Sequence, residues 1–429
     1  MKARRGARAV ARRARSWRAG LLGFLAVMGP GLITGFAGND AGGVATYTSI
    51  GAHYGFALLW LLVLSTVGLV VIQEMCARMG AVTGKGLSDL IRERFGVRWT
   101  IVAMVALLLA NGINVAAEFA GIAVSLGLLG VPTAVSVPAA GLLVWALVLF
   151  FDYRVVERAL FVLILAFVAY PISAAVVGPD WEAVGAGLIL PTLPGEQAAL
   201  LAALALVGTT ITPYMQFYIQ ASIVDKGIDA AQYRYARYDV FLGAVLTGLN
   251  GLFIVVVAGA VLFPAGVLVD SAADAARALE PLAGGQAQLL FGVGLFGASL
   301  LAATVMPLST SYAICEAFGW ESGISKNFSE APVFMGLFTL LLAAGALAVV
   351  LFPEELLIQL ILVSQAVNGV LLPIVLVFVL RLAGDRAIMG AAANGRAAAI
   401  VGWGVATIAS VLSVGYLLVS ALGSVGIVD

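Results

Sequence analysis

A single carboxylate, Asp40, lies among glycines inside an apolar stretch of the chain. Residues 29–43 read Gly-Pro-Gly-Leu-Ile-Thr-Gly-Phe-Ala-Gly-Asn-Asp-Ala-Gly-Gly. An ionisable side chain at membrane depth is costly and usually faces a cavity or a partner. Glycines that interrupt a helix there free backbone carbonyls, which must find other partners. A bound cation would satisfy the carboxylate and the carbonyls together, so the stretch predicts an ion site.

A second irregular stretch lies near the middle of the chain. Residues 208–214 read Gly-Thr-Thr-Ile-Thr-Pro-Tyr, and Pro213 removes one backbone hydrogen bond. A proline kink with threonine hydroxyls bonded to their own helix is the favoured interpretation of this segment alone. Together, the two stretches predict a pair of interrupted helices that build one site at the membrane midplane.

The composition places both stretches in a membrane. Hydrophobic residues make up 62% of the chain, charged residues make up 11%, and the mean hydropathy is +1.07. These values predict an all-α polytopic membrane protein with no soluble domain. Apolar runs of about 20 residues predict eleven spans, near residues 21–50, 55–79, 99–128, 132–151, 156–177, 198–225, 238–263, 286–318, 331–352, 356–381 and 397–422.

The basic residues predict how the chain is oriented. Residues 1–19 form a basic arm with no acidic residue, and such an arm stays in the cytoplasm. If the N-terminus is cytoplasmic and the chain crosses the membrane eleven times, every Lys and Arg except Arg277 falls on the cytoplasmic side. The sequence therefore predicts a multi-pass plasma-membrane protein with a cytoplasmic N-terminus and an external C-terminus. Residues 20–429 are predicted to form one transmembrane transport domain.

The order of the interruptions predicts an internal repeat. Spans 1 and 6 are equivalent if the first repeat covers about residues 20–177 and the second about residues 198–382. Two inverted five-helix repeats would then be followed by an extra helix at about residues 397–422. No clear residue identity relates the halves, so this prediction rests on hydropathy and on the two interruptions.

Six short motifs occur in order along the chain. They are Gly29-Pro30-Gly31, Asp40-Ala41-Gly42-Gly43, Thr83-Gly84-Lys85 with Leu87, Thr212-Pro213-Tyr214, Ser309-Thr310-Ser311-Tyr312 with Glu316, and Ser364-Gln365 before Pro373. These motifs resemble those of the natural resistance-associated macrophage protein (Nramp) family of divalent metal transporters. The resemblance implies a LeuT-like fold with ten helices in two inverted repeats plus one further helix, and metal movement by alternating access.

The departures from the family pattern concern the predicted site. Typical members read Asp-Pro-Gly-Asn in the first helix, where Ala41 here replaces the proline and Gly43 the asparagine. They read Met-Pro-His in the sixth helix, where Thr212 replaces the methionine and Tyr214 the histidine. Oxygen ligands suit hard cations such as Mg²⁺ and Mn²⁺, whereas thioether sulfur favours softer metals. The pattern resembles the Nramp-related magnesium transporter branch.

The resemblance implies a set of ligands, carried over position by position. Asp40 is the expected principal ligand of a partly hydrated oxygen site. The remaining ligands are the Ala37 and Thr209 carbonyls, the Thr212 hydroxyl and Gln365, with Gly43 at the asparagine position. Tyr214, Asn368 and Glu118 are possible secondary residues, although Asn368 can equally form a bond between helices.

Proton coupling is not expected. Members of the family resemble proton symporters with a histidine in the sixth helix, an aspartate in the third helix and arginines near the ninth. In this chain the only histidine is His53, Val115 stands at the position of the aspartate, and the ninth span has no arginine. Without groups that titrate near working pH, we predict metal movement uncoupled from protons. The alternatives are a proton-coupled Mn²⁺ or Fe²⁺ transporter of the same family, or a LeuT-like carrier of amino acids or other organic solutes.

Other functional classes find little support. No phosphate loop, nucleotide fingerprint or nucleophile-His-acid set is present, so the chain is predicted not to be an enzyme and to need no cofactor. Cys76 and Cys315 are expected to be packing residues. The predicted partners are a divalent metal ion and the lipid bilayer, with no nucleic acid. The oligomeric state stays open.

Overall fold

Helices account for the regular structure of the protein. The computed structural model describes residues 28–151, 153–195, 197–269, 272–280 and 284–424, and these ranges contain helices and no strand. The first half contains α1 (Pro30–Ala37), α2 (Ala41–Tyr54), α3 (Leu59–Thr83), α4 (Leu87–Gly127), α5 (Thr133–Phe150), α6 (Tyr153–Ile164), α7 (Ala169–Val177) and α8 (Trp181–Ile189). The second half contains α9 (Gln197–Thr210), α10 (Pro213–Asp225), α11 (Tyr233–Val261), α12 (Ala272–Arg277), α13 (Ala287–Phe318), α14 (Pro332–Leu351), α15 (Leu357–Gly384), α16 (Arg386–Met389) and α17 (Arg396–Ser424).

Long helices confirm ten of the eleven predicted membrane segments, the second to the eleventh. Among the described residues, these ten helical segments are long and apolar enough to cross a membrane. The first predicted span is the broken pair α1 and α2, and the sixth is the broken pair α9 and α10. The predicted basic arm, residues 1–19, and the start of the first span lie outside the described residues.

A short helical segment precedes the third predicted span. Helix α4 begins at Leu87, ahead of the span predicted from residue 99, and Leu87, Leu90 and Ile91 are buried despite the charged residues near them. The charges made this segment resemble a loop. Gly96 separates the segment from the rest of α4 with φ 78° and ψ 174°, a conformation that glycine adopts without strain.

Each helix break has a local cause. Asp40 caps α2, because its Oδ1 accepts a hydrogen bond from the Gly43 N–H at 2.6 Å. The preceding residue, Asn39, donates from Nδ2 to the Thr247 carbonyl on α11 at 3.1 Å, which fixes the link between α1 and α2. At the second break, Pro213 is the first residue of α10, where its missing N–H is no loss.

Helix α1 crosses α11 at unusually short range. A Cβ atom on Gly31 would lie 2.5 Å from the Val240 Cα, and one on Gly35 would lie 2.8 Å from the Gly243 carbonyl carbon. Real side chains do not tolerate such distances, so the two backbones are in direct contact. Small residues four positions apart give the same close crossing in many membrane helix pairs.

Polar groups anchor the start of α1. The Asp239 Oδ2 accepts hydrogen bonds from the Gly31 N–H at 2.6 Å and the Gly29 N–H at 3.2 Å. Lys226 donates from Nζ to the Met28 carbonyl and to Glu157 Oε1, each at 2.7 Å. The first amides of α1 thus have partners on α11, although a helix start has none of its own.

Removing the Asp239 carboxylate should destabilise the protein. Asp239→Ala leaves two buried N–H groups of α1 without an acceptor, at a cost of about 1–3 kcal/mol. Asp239→Asn keeps one acceptor oxygen and should have a smaller effect. The measurement is the thermal unfolding midpoint in detergent, followed by tryptophan fluorescence. An Asp239→Ala midpoint equal to that of the parent would show that the anchor is not stabilising.

Candidate metal site

Asp40 lies fully buried at the break between α1 and α2. Its Oδ1 caps α2, whereas its Oδ2 has no hydrogen-bond partner among the described residues. A buried carboxylate oxygen without a partner is unfavourable in an apolar interior. This oxygen is therefore available to a cation or to a proton, and Asp40 stays a predicted metal ligand.

The second break contributes a hydroxyl that the sequence analysis missed. The Thr209 Oγ1, near the end of α9, is buried and also has no described partner. A Cβ atom on Gly43 would lie 3.2 Å from this hydroxyl and 3.4 Å from the Asp40 Oδ1. Position 43 thus faces both oxygens, and the two breaks meet there. The sequence analysis had named only the Thr209 carbonyl, because spacing along a chain does not show which hydroxyls lack a partner.

Two of the predicted carbonyl ligands already accept hydrogen bonds. The Tyr214 hydroxyl donates to the Ala37 carbonyl at 2.7 Å, and the Thr212 hydroxyl donates to the Thr209 carbonyl at 3.0 Å. Tyr214 therefore joins the second break to the first. A carbonyl oxygen has two lone pairs, so each can still bind a cation while accepting one hydrogen bond.

Gln365 on α15 packs against the start of α2. A Cβ atom on Gly42 would lie 1.7 Å from the Gln365 Nε2, so only glycine leaves room for this side chain. The Gln365 Oε1 accepts from the Asn368 Nδ2 at 2.9 Å. Asn368 also pairs with Asn114 on α4. Asn368 thus takes the helix-to-helix role that the sequence analysis had left open.

Glu118 on α4 supplies a second buried carboxylate. Its Oε2 accepts from the Ala41 N–H, the first amide of α2, at 3.1 Å, and its Oε1 has no described partner. The ion pairs that the structure describes include neither Glu118 nor Asp40. Two buried carboxylates without a basic partner favour binding of a cation or uptake of a proton.

The available donors are mostly oxygens. No group of three His, Cys, Asp or Glu side chains that could hold a metal occurs in the part of the chain that is described. A metal here would use one or two carboxylates with carbonyls, hydroxyls, an amide and water. One thioether, missed by the sequence analysis, lies near the first break: a Cβ atom on Gly38 would be 3.3 Å from the Met215 Sδ.

A cavity lies beside the second half of α2. It has a volume of about 290 Å³ and is lined by α2, α9, α15 and α17, with Thr46, His53, Ala205 and Ala366 among its walls. The sequence predicts that this end of α2 is external. At the opposite end of this broken helix, the start of α1 contacts Asp239 and Lys226.

Proteins of known structure share this fold. The chain superposes on the Eremococcus coleocola manganese transporter, solved with an aromatic bis-isothiourea substituted compound, with a TM-score of 0.76 at 23% identity, covering 91% of this chain and 85% of that one. It superposes on MhsT, solved with L-phenylalanine, with a TM-score of 0.55 at 15% identity, covering 90% and 97%. The predicted LeuT-like architecture is therefore confirmed.

Sequence comparisons identify the family. The chain is 31% identical over 430 residues to the divalent metal cation transporter MntH of Deinococcus radiodurans, covering 94% of this chain and 92% of that protein. It is 30% identical over 403 residues to the protein of the same name from Ralstonia nicotianae, covering 87% and 86%. The family model described as "Natural resistance-associated macrophage protein-like" matches residues 31–420. Since that match extends from α1 to α17, the chain belongs to the Nramp family.

Proposed function

We propose that this protein carries divalent metal ions across a membrane by alternating access, through a site between its two broken helices. The observation that carries the proposal is that the Asp40 carboxylate, through Oδ1, and the Thr209 hydroxyl lie against the same position, 43, while Asp40 Oδ2 and Thr209 Oγ1 are buried without a described partner. The names of the relatives, which are divalent metal cation transporters, support the same function. An organic substrate would leave the buried Asp40 oxygen unexplained.

Hard cations, Mn²⁺ and Mg²⁺, are the proposed substrates. Carboxylate, hydroxyl, carbonyl and amide oxygens suit both ions. The similarity to a solved manganese transporter supports Mn²⁺. Magnesium is proposed only from the chemistry of the site. Mg²⁺ releases its bound water reluctantly, and the absence of a side chain at Gly43 leaves space for a water molecule on the ion.

Transport is proposed to be uncoupled from protons. Gln365, which packs against Gly42, and the hydrogen-bonded Asn368 and Asn114 behind it are buried, uncharged amides that do not titrate. A proton-coupled Mn²⁺ transporter is the second candidate, and Glu118 favours it. This carboxylate lies beside the site with one free oxygen and could take up a proton.

The proposed location is the plasma membrane, with the N-terminus in the cytoplasm. The basic residues support this orientation by the positive-inside rule. The cavity beside α2 then opens to the exterior, and the Asp239 anchor closes the cytoplasmic side.

Removing the Asp40 carboxylate should abolish transport. Asp40→Ala deletes the principal ligand, so saturable Mn²⁺ and Mg²⁺ entry into dye-loaded proteoliposomes should fall to the rate of empty liposomes. Asp229→Asn is the matched control, because Asp229 is an exposed aspartate that caps a turn, and it should transport at the parent rate. Parent-like entry in Asp40→Ala would exclude the proposed site.

The Thr209 hydroxyl should contribute to metal affinity. Thr209→Val keeps the shape of the side chain and removes one oxygen, so the KM for Mn²⁺ should rise roughly fivefold, the equivalent of about 1 kcal/mol. Thr304→Val, which removes a buried hydroxyl bonded to its own helix on α13, should leave KM unchanged. Equal KM values in the parent and Thr209→Val would remove Thr209 from the ligand set.

Proton movement separates the two candidate mechanisms. Metal entry by the parent should leave the lumen of liposomes containing a pH-sensitive dye at constant pH. Glu118→Gln should likewise leave the lumen pH constant during metal entry. Acidification in proportion to metal entry, lost in Glu118→Gln, would instead establish the proton-coupled mechanism.

A further inference from the structure

A chain of buried amides runs from the site to α4. Asn368 donates to Gln365, as described above, and pairs with Asn114 through two reciprocal hydrogen bonds. In these, Asn114 Nδ2 donates to Asn368 Oδ1 at 2.6 Å, and Asn368 Nδ2 donates to Asn114 Oδ1 at 3.0 Å. All three side chains are fully buried. The chain therefore connects α15 directly to α4 across the protein core.

The amide of Gln365 does not present its oxygen to the site in this arrangement. Its Oε1 is held by Asn368, while its Nε2 donates to the Ser364 Oγ at 3.2 Å and lies against Gly42. An amide NH₂ group has only donors and cannot bind a cation. Coordination by Gln365 therefore requires its amide to rotate and exchange the positions of Oε1 and Nε2.

Rotation of Gln365 must propagate along the chain. After rotation, two NH₂ groups would face each other, one from Gln365 and one from Asn368. Asn368 must then turn its own amide to offer Oδ1, and Asn114 must turn to restore the reciprocal pair. The rotated arrangement keeps the Gln365–Asn368 bond and the reciprocal pair, but it gives up the bonds from Asn114 Nδ2 to the Ala110 carbonyl and from Gln365 Nε2 to the Ser364 Oγ. The network therefore has two unequal states, and coordination of the cation by Gln365 must offset the lost bonds.

We infer that Asn368 and Asn114 are positioning residues for Gln365, and that their amides turn together when a cation binds at Asp40. This inference rests on the proposed function, because it takes Gln365 as a ligand of the transported metal. Binding at the break between α1 and α2 is thereby transmitted to the contact between α15 and α4. Groups that orient a metal ligand typically change metal affinity by about 10–100-fold when removed.

A purely structural role makes a different prediction. If the amides only hold α15 against α4, removing Asn368 lowers stability whether or not Gln365 is present. A matched buried pair is available as a control, because Asn111 donates from Nδ2 to the Thr310 Oγ1 at 2.7 Å between α4 and α13. That pair forms no described hydrogen bond with Gln365.

The test is a double-mutant cycle on the full chain in proteoliposomes, with Mn²⁺ as the probe. Asn368→Leu, Asn114→Leu and Gln365→Ala should each raise the KM for Mn²⁺ about tenfold, and Asn111→Leu should change it less than twofold. In the Gln365→Ala background, Asn368→Leu should add less than twofold, because the group that it positions is already absent. Thermal unfolding midpoints show which variants are folded, and Asn368→Ser replaces Asn368→Leu if the latter does not fold.

Three results would overturn the inference. A tenfold effect of Asn368→Leu that persists in the Gln365→Ala background would show that Asn368 does not act through Gln365. A parent-like KM in Asn368→Leu, with only a lower unfolding midpoint, would show a structural role. A parent-like KM in Gln365→Ala would remove Gln365 from the site while leaving divalent metal transport intact. Failure of the parent chain itself to move Mn²⁺ under these conditions would reject the proposed function as well.

Discussion

Where a helix stops inside an apolar core, its free backbone groups must find partners other than water. In this protein those partners come from the other broken helix, from the same broken helix and from α4. Tyr214 bonds to the end of α1, Thr212 bonds to the end of α9, and Glu118 bonds to the first amide of α2. The oxygens that stay without a described partner beside the breaks include Asp40 Oδ2, Thr209 Oγ1, Asn39 Oδ1 and Glu118 Oε1.

The surroundings of the site divide into a charged part and a neutral part. Asp40 and Glu118 approach the start of α2 from two directions and supply negative charge without a described basic partner. Beyond Gln365, the polar groups are amides, which carry dipoles but no net charge. In the proposed mechanism, attraction of the cation and orientation of its ligands are thus assigned to different side chains. A charged side chain introduced among these amides would alter both the attraction of the cation and the orientation of its ligands, because electrostatic effects are long-ranged in a core of low polarity.

Much of the fold follows from the sequence alone, because spanning segments need long apolar runs and breaks need glycine or proline. Both broken helices were predicted correctly, and so was the place of Asp40 at the first break. Which helices touch could not be predicted, since the bonds of Tyr214 to Ala37 and of Asn114 to Asn368 join residues far apart in the chain. The position of Met215 was missed because the motif comparison ended at Tyr214. The early start of α4 was missed because its buried leucines are interleaved with charges.

At Gly31 and Gly35 the contact between α1 and α11 is mainly backbone to backbone, and this has a mechanical consequence. Neither glycine has a side chain that must leave α11 when the two helices separate, and the α11 side chain close to Gly35 is the small one of Thr247. The bonds that hold the beginning of α1, to Asp239 and Lys226, are polar, and water can replace each of them. Separation of α1 from α11 at this end would therefore exchange polar bonds for hydration without pulling a large apolar side chain out of the core.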